Sequence, residues 1–359
     1  MSDRLFVATR KGLFEFRKAH SNWDVARTSF LGSPVTQVIR DPRDGALYAA
    51  LDLGHFGVKL HRSDDGGANW KEIAAPSYAG VDPDAKEPPS LKLLWVLEPG
   101  GADQPGLLWA GTIPGGLFIS SDRGESWSLI NSLWNDPRRK LWFGGGYDYP
   151  GIHSISVDPR DSNCVAVGAT CGGVWETKDL GKTWVLGGKG MRAAYLPPEQ
   201  AGTPETQDPH RLVRCPNAPD RFWVQHHNGI FRGLNGIAEW EEIHAPHSGF
   251  GFGVVVHPHR PDTAWFVPAI KDEFRYPENG KLQVARTEDA GKSFKYFTKG
   301  LPQDHAYDLI YRHGLVIDET GDGLIMGSTT GGLWFSQDGG ESWYGASARL
   351  PPIYALHFA

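Results

Sequence analysis

GIHSISVDPRDSNCVAVGATCGGVWETKDLGKTW, residues 151–184, contains three short apolar runs and a closing octet. The runs HSISV, CVAVGA and VWET carry many β-branched residues and are separated by DPRDSN and TCGG, so they read as strands joined by hairpins. The octet Thr177-Lys178-Asp179-Leu180-Gly181-Lys182-Thr183-Trp184 has a physical logic of its own. Thr and Asp oxygens can hold turn amides, Gly supplies positive φ, and Trp folds back over the apolar face. One such unit is a four-stranded antiparallel sheet that cannot bury both of its faces alone.

The octet recurs. The pattern Ser/Thr-x-Asp-x-Gly-x-x-Trp/Phe appears at Ser63–Trp70, Ser120–Trp127, Thr177–Trp184, Thr287–Phe294 and Ser336–Trp343. Worn copies keep Asn235 with Trp240, and Trp23 alone. The seven aromatic anchors at 23, 70, 127, 184, 240, 294 and 343 are separated by 47, 57, 57, 56, 54 and 49 residues. That period is a β-propeller blade plus its loops. The expectation is a single all-β domain over 1–359, a seven-bladed propeller. Its closure blade joins residues 1–30 to the last strand at 351–359, which removes exposed sheet edges.

Composition agrees with a turn-rich all-β chain: 359 residues, 40% hydrophobic, 45 Gly and 26 Pro. A net charge of −6 without a basic block gives no nucleic-acid surface. Cys164, Cys171 and Cys215 are too dispersed for a metal motif, and an odd number argues against a disulfide framework. No apolar run reaches membrane-spanning length, and the start MSDRLFVATRKGLFEF holds no signal-peptide core. The chain therefore reads as a cytoplasmic monomer with a small-molecule ligand.

Irregular sequence collects at 79–90, 131–151, 188–209, 244–250 and 271–280, on the face opposite the octets. Long loops on one face of a rigid scaffold are where binding and catalysis are usually found. Three expected inner strands begin at or just after histidine: His153, His210, and His305 with Tyr307 and Asp308. The turn Gln225-His226-His227 adds imidazoles from the fourth blade. His153, His210, Gln225 and His227 are candidate ligands for one divalent transition metal (Mn, Fe, Zn or Cu), because neutral imidazoles suit such ions. The bland alternative is that these histidines cap strands through backbone hydrogen bonds.

Charged and aromatic residues join them. Tyr307, Asp308, Asp272 and Glu273 are candidate acid–base residues. Arg10, Lys92, Trp142, Tyr147, His226, Lys271 and His305 are candidate substrate contacts. The loop LWNDPRRKLWFGGGYDYPG (133–151) sets Trp142, Phe143, Tyr147 and Tyr149 beside three glycines, which suits a stacking platform or a loop packed over its own blades. Cys171 is either a reactive thiol or a small turn residue.

The octets resemble the Asp-box, or bacterial neuraminidase repeat, family of β-propellers, which includes sialidases, sortilin-type receptors, xyloglucan-acting glycosidases and photosystem II assembly factors. The stretches GIHSISVDPRDS, QDPHRLVRC, QHHNGIFRG, VHPHRPDTAWFVPA and LIYRHGLVID are similar to a bacterial propeller-repeat or exo-sialidase-like group of roughly this length. The resemblance implies the fold more than a chemistry. Sialidases use three arginines, a Tyr–Glu pair and an Arg-Ile-Pro signature; this chain has no Arg-Ile-Pro and offers histidines instead. The sequence thus leaves three readings. They are an enzyme or enzyme-like binder for a small polar substrate, by hydrolysis or elimination with or without a metal; a non-catalytic assembly propeller; and a sialidase-like glycosidase.

Overall fold

The computed structural model describes residues 3–20 and 22–359. The chain folds into seven four-stranded antiparallel sheets, the seven blades of a β-propeller. The C-terminal strand Ile353–Phe358 pairs antiparallel with Arg4–Thr9, and Gly12–Ala19 and Asn22–Ser29 complete that sheet. The closure expected from the sequence is therefore present.

Two compact units make up the chain. One comprises Thr36–Gly188 and Thr203–Asp208 and holds the three sheets that begin at Val35–Arg40, Leu93–Pro99 and Ile152–Asp158. The other comprises Met1–Val35, Lys189–Gly202 and Pro209–Ala359 and holds the closure sheet and those that begin at Pro209–Cys215, Gly251–Val256 and Leu315–Ile317. Within each unit the apolar core lies between consecutive sheets. In the first, Trp109, Val167 and Trp175 share one cluster, and Tyr48, Leu94 and Phe118 another. In the second, Trp223 meets Phe266, and Trp265 meets Trp343.

The five full octets fold alike. In the third, the Thr177 hydroxyl donates to Asp179 Oδ1 at 2.8 Å and accepts the Gly181 N–H at 2.8 Å. Asp179 also accepts the Thr183 N–H at 2.9 Å and the Thr183 hydroxyl at 2.7 Å. Asn69, Ser126, Ser293 and Ser342 fill the same role in the other copies, so the seventh place of the octet needs a short donor side chain. The glycine has two duties. Its φ is positive (+83° at Gly181, +88° at Gly291), and it lies against the preceding sheet. A Cβ on Gly291 would come within 2.4 Å of Ile243, and one on Gly124 within 2.9 Å of Ile73.

One strand differs from expectation. AYDLIY (306–311) reads as the inner strand of the sixth blade, but the ladder starts at Leu315–Ile317, paired with Leu324–Gly327. Both segments have strand composition. The turn at Gly314, whose N–H donates to the Tyr311 carbonyl at 2.8 Å, hands the ladder to the second. Residues 306–311 instead cover the end of the blade, where Ala306 N–H donates to the Gly280 carbonyl and Thr329 N–H to the Leu309 carbonyl.

Candidate functional site

His210 is the second residue of the strand Pro209–Cys215 and is 2% exposed. Its ring lies flat on Phe252 of the next blade, with centroids 4.3 Å apart and planes 11° apart, while Phe250 meets its edge at 5.6 Å. Nδ1 lies 2.7 Å from the Gly251 carbonyl oxygen. That bond makes Nδ1 the protonated nitrogen and Nε2 the lone-pair nitrogen, the tautomer a metal-ligating or acceptor imidazole takes.

His227, half-buried in the turn after Ala218–His226, faces this ring edge-on at 5.4 Å, and one ligand nitrogen of each histidine lies within 4.8 Å of the other. Tyr195 packs edge-on against His227 at 4.9 Å. It is held there by the 189–202 loop, tied down by Arg192 on Glu242 (2.8 Å), Lys189 on Glu239 (2.7 Å) and Ala194 N–H on Asn228 Oδ1 (2.7 Å). Nothing in the sequence marked Tyr195, because its neighbour His227 comes from a different hairpin.

The other imidazole and amide of the same turn do different work. Gln225, 1% exposed, gives its Nε2 to the carbonyls of His226, Gly229 and Gly249 at 3.2, 3.2 and 2.7 Å. It clamps the turn that presents His227. His226 is fully buried, accepts the Asn228 N–H at 3.1 Å on Nδ1 and packs against Phe231.

In the first unit, His153 is fully buried, with Nδ1 2.9 Å from the Ser154 hydroxyl and its ring 5.3 Å from Trp95. Tyr147, 53% exposed, meets Trp95 at 5.3 Å, so this part of the 133–151 loop presents an aromatic face. Trp142 does not belong to that face: it is 7% exposed and packs edge-on against Trp175 at 5.7 Å. Lys92 is exposed and its N–H donates to the Ile113 carbonyl. Cys171 is a turn residue with φ +43° and is 2% exposed. Its N–H donates to Asp208 Oδ1 at 3.1 Å, and Gly145 comes so close that a Cβ there would sit 2.6 Å from Cys171 Sγ and 3.4 Å from Asp208 Oδ2. Asp208, buried and two residues before His210 in the chain, was not singled out from the sequence.

The acidic candidates each have a local tie. Asp308 accepts the Ser328 hydroxyl at 2.8 Å and the Thr330 hydroxyl, which ties the 306–311 segment to the turn after Leu324–Gly327. Asp272 pairs with Arg275, and Glu273 lies 3.5 Å from Lys271. Glu273's own backbone N–H and then the Lys271 charge hold its carboxyl below the usual range. Lys271 also lies over Phe274 at 5.2 Å. Tyr307 is 60% exposed beside Tyr276, His305 is exposed next to Asp304, and Arg10 is exposed with its N–H on the Pro352 carbonyl.

No protein-family profile matches the chain. A xyloglucanase of Acetivibrio thermocellus is 25% identical over 159 residues, which is 41% of this chain and 16% of that protein. The GH74 xyloglucanase from Xanthomonas campestris superposes with a TM-score of 0.66 at 16% identity, covering all of this chain and 52% of the other. YCF48 from Cyanidioschyzon merolae superposes with a TM-score of 0.55 at 12% identity, covering 89% and 87% of the two chains. What they share with this chain is the fold. This chain thus spans about half of the xyloglucanase structure and a much smaller part of the curated relative. Propellers that differ this widely in what their names describe leave function to be argued from the site.

Proposed function

We propose that this protein binds a divalent transition metal through His210 and His227 and uses it to bind, and act on, a small polar substrate at the loop end of the fourth blade. The observation that carries the reading is the pair itself. His210 is buried, stacked and fixed in one tautomer by a backbone carbonyl, and it stands within ligand reach of the half-buried His227. Outer partners of this kind orient ligating imidazoles and raise their basicity. A borderline ion accepts imidazole nitrogens such as these.

When bound, the metal would polarise a substrate oxygen or lower the pKa of a bound water. The chain's own residues do the rest. Phe250 and Phe252 keep water from His210, which strengthens its interactions. Tyr195, 39% exposed beside His227, offers a hydroxyl to orient a substrate or pass a proton. The site suits hydrolysis or elimination equally.

Cobalt titration tests the reading. Loading Co²⁺ gives a visible d–d spectrum at one equivalent in the wild type, weakened in His210→Ala and His227→Ala and retained in His153→Ala. A protein that takes up no cobalt, or whose His210 variant binds it as well as the wild type, overturns the proposal.

A further inference from the structure

Arg139, far along the chain from the histidine pair, is a cation with little around it to balance its charge. It belongs to the short 3₁₀ segment Pro137–Leu141. Its guanidinium lies 3.6 Å above the centre of Trp134 and 5.5 Å from Trp142, so two indoles flank it. Of its five N–H donors, Nε is used on the Gly115 carbonyl at 3.3 Å, and no carboxylate among the described residues comes within ion-pair distance. Asp82 is near enough to be felt, but its oxygen takes the Trp134 indole N–H at 3.1 Å. Burial pushes the guanidinium down to about 10, and Tyr78 and Asp82 only partly offset this.

The surroundings are built. The Tyr78 hydroxyl donates to the Pro114 carbonyl at 2.6 Å and meets the Thr112 hydroxyl at 2.6 Å, which fixes the 112–116 turn under Arg139. Tyr78 touches Trp134, with centroids 5.1 Å apart, and also lines a cavity of about 560 Å³ with Val58, Val81, Pro83 and Leu91. Trp142 Nε1 is sealed from solvent with no hydrogen-bond partner.

A part-buried guanidinium with unused fork donors is suited to a carboxylate or phosphate, which it can hold by two parallel bonds. Stacking on indole fixes the plane of the fork and leaves its edge for the anion. We infer that Arg139 anchors an oxyanion-binding site that takes the carboxylate or phosphate of a small ligand, independent of the histidine pair. An arginine that only fills space between two indoles would give no anion response.

The test is two-dimensional NMR of protein carrying ¹⁵N-labelled tryptophan, titrated with phosphate or acetate at constant ionic strength set by chloride. The inference expects saturable shifts of the Trp134 and Trp142 indole signals. Response to phosphate alone assigns a phosphoryl ligand, to acetate alone a carboxylate, and to both a general oxyanion site. Arg139→Gln abolishes the shifts with the other indole signals unmoved. Arg139→Lys, which keeps the charge and loses the planar fork, weakens them about tenfold and serves should the glutamine variant fail to fold. Absence of saturable shifts in the wild type, or equal shifts in a folded variant, overturns the inference.

Discussion

The imidazole of His210 lies on the ring of Phe252 at a centroid distance of 4.3 Å, with the two planes 11° apart. Phe252 comes from the next blade, 42 positions on, so this contact joins two inner strands and orients one candidate ligand in one step. Phe252→Leu leaves an apolar residue but removes the flat surface. The expected loss is about 1–2 kcal/mol of stability and roughly tenfold in metal affinity, read by thermal unfolding and cobalt titration. Unchanged affinity in a destabilised variant would make the stack a packing contact only.

Gly291→Ala tests the second duty of the octet glycine. The new methyl would need positive φ and would meet Ile243 at 2.4 Å. Left-handed strain and overpacking together predict a loss of about 2–4 kcal/mol in chemical denaturation. Ile243→Ala, which removes the Cγ2 that the new methyl would meet, should cost less in the Gly291→Ala background than in the wild type, while the backbone strain stays. If the two losses simply add, the close approach is not the cause.

The octet carboxylates predict an acid limb. Hydrogen bonds from the Asn69 backbone and side chain hold Asp65 at about 2, and the Thr183 hydroxyl and N–H hold Asp179 at about 2, against an ordinary 3.8. Because the folded values are depressed, the unfolded chain binds more protons in this window. Stability from these groups is complete above about pH 4 and is lost as pH falls toward 2. Melting temperatures of the wild type and Asp179→Asn should therefore converge between pH 4 and pH 2. A gap that stays constant through that window would contradict the assignment.

Cys164, Cys171 and Cys215 are all buried, and burial pushes the Cys215 thiol up. Buried thiols with little thiolate are inert, so a thiol reagent should label the native protein slowly and all three sites on unfolding. Rapid labelling of Cys171 in the native state would restore the reactive-thiol reading of the TCGG turn.

The blades were legible because each octet carries its own chemistry: hydroxyl, carboxylate, glycine and indole within eight residues specify the turn without help from elsewhere. The site was legible only as residue types. His210 and His227 could be named from strand starts and a turn, but the stack on Phe252 and the loop that brings Tyr195 are long-range. Gln225 looks like a ligand in sequence and in the fold gives its amide to three carbonyls. The sixth blade shows the limit of local pattern. AYDLIY and LVI both suit a strand, and pairing with Leu324–Gly327 chose the second.

The central claim is that His210 and His227 hold a metal, and elemental analysis of gently purified protein tests it most directly. The account predicts close to one equivalent of manganese, iron, zinc or copper in the wild type and in His153→Ala, and a loss of most of it in both His210→Ala and His227→Ala. A wild-type protein that stays metal-free after incubation with each ion and desalting would contradict it.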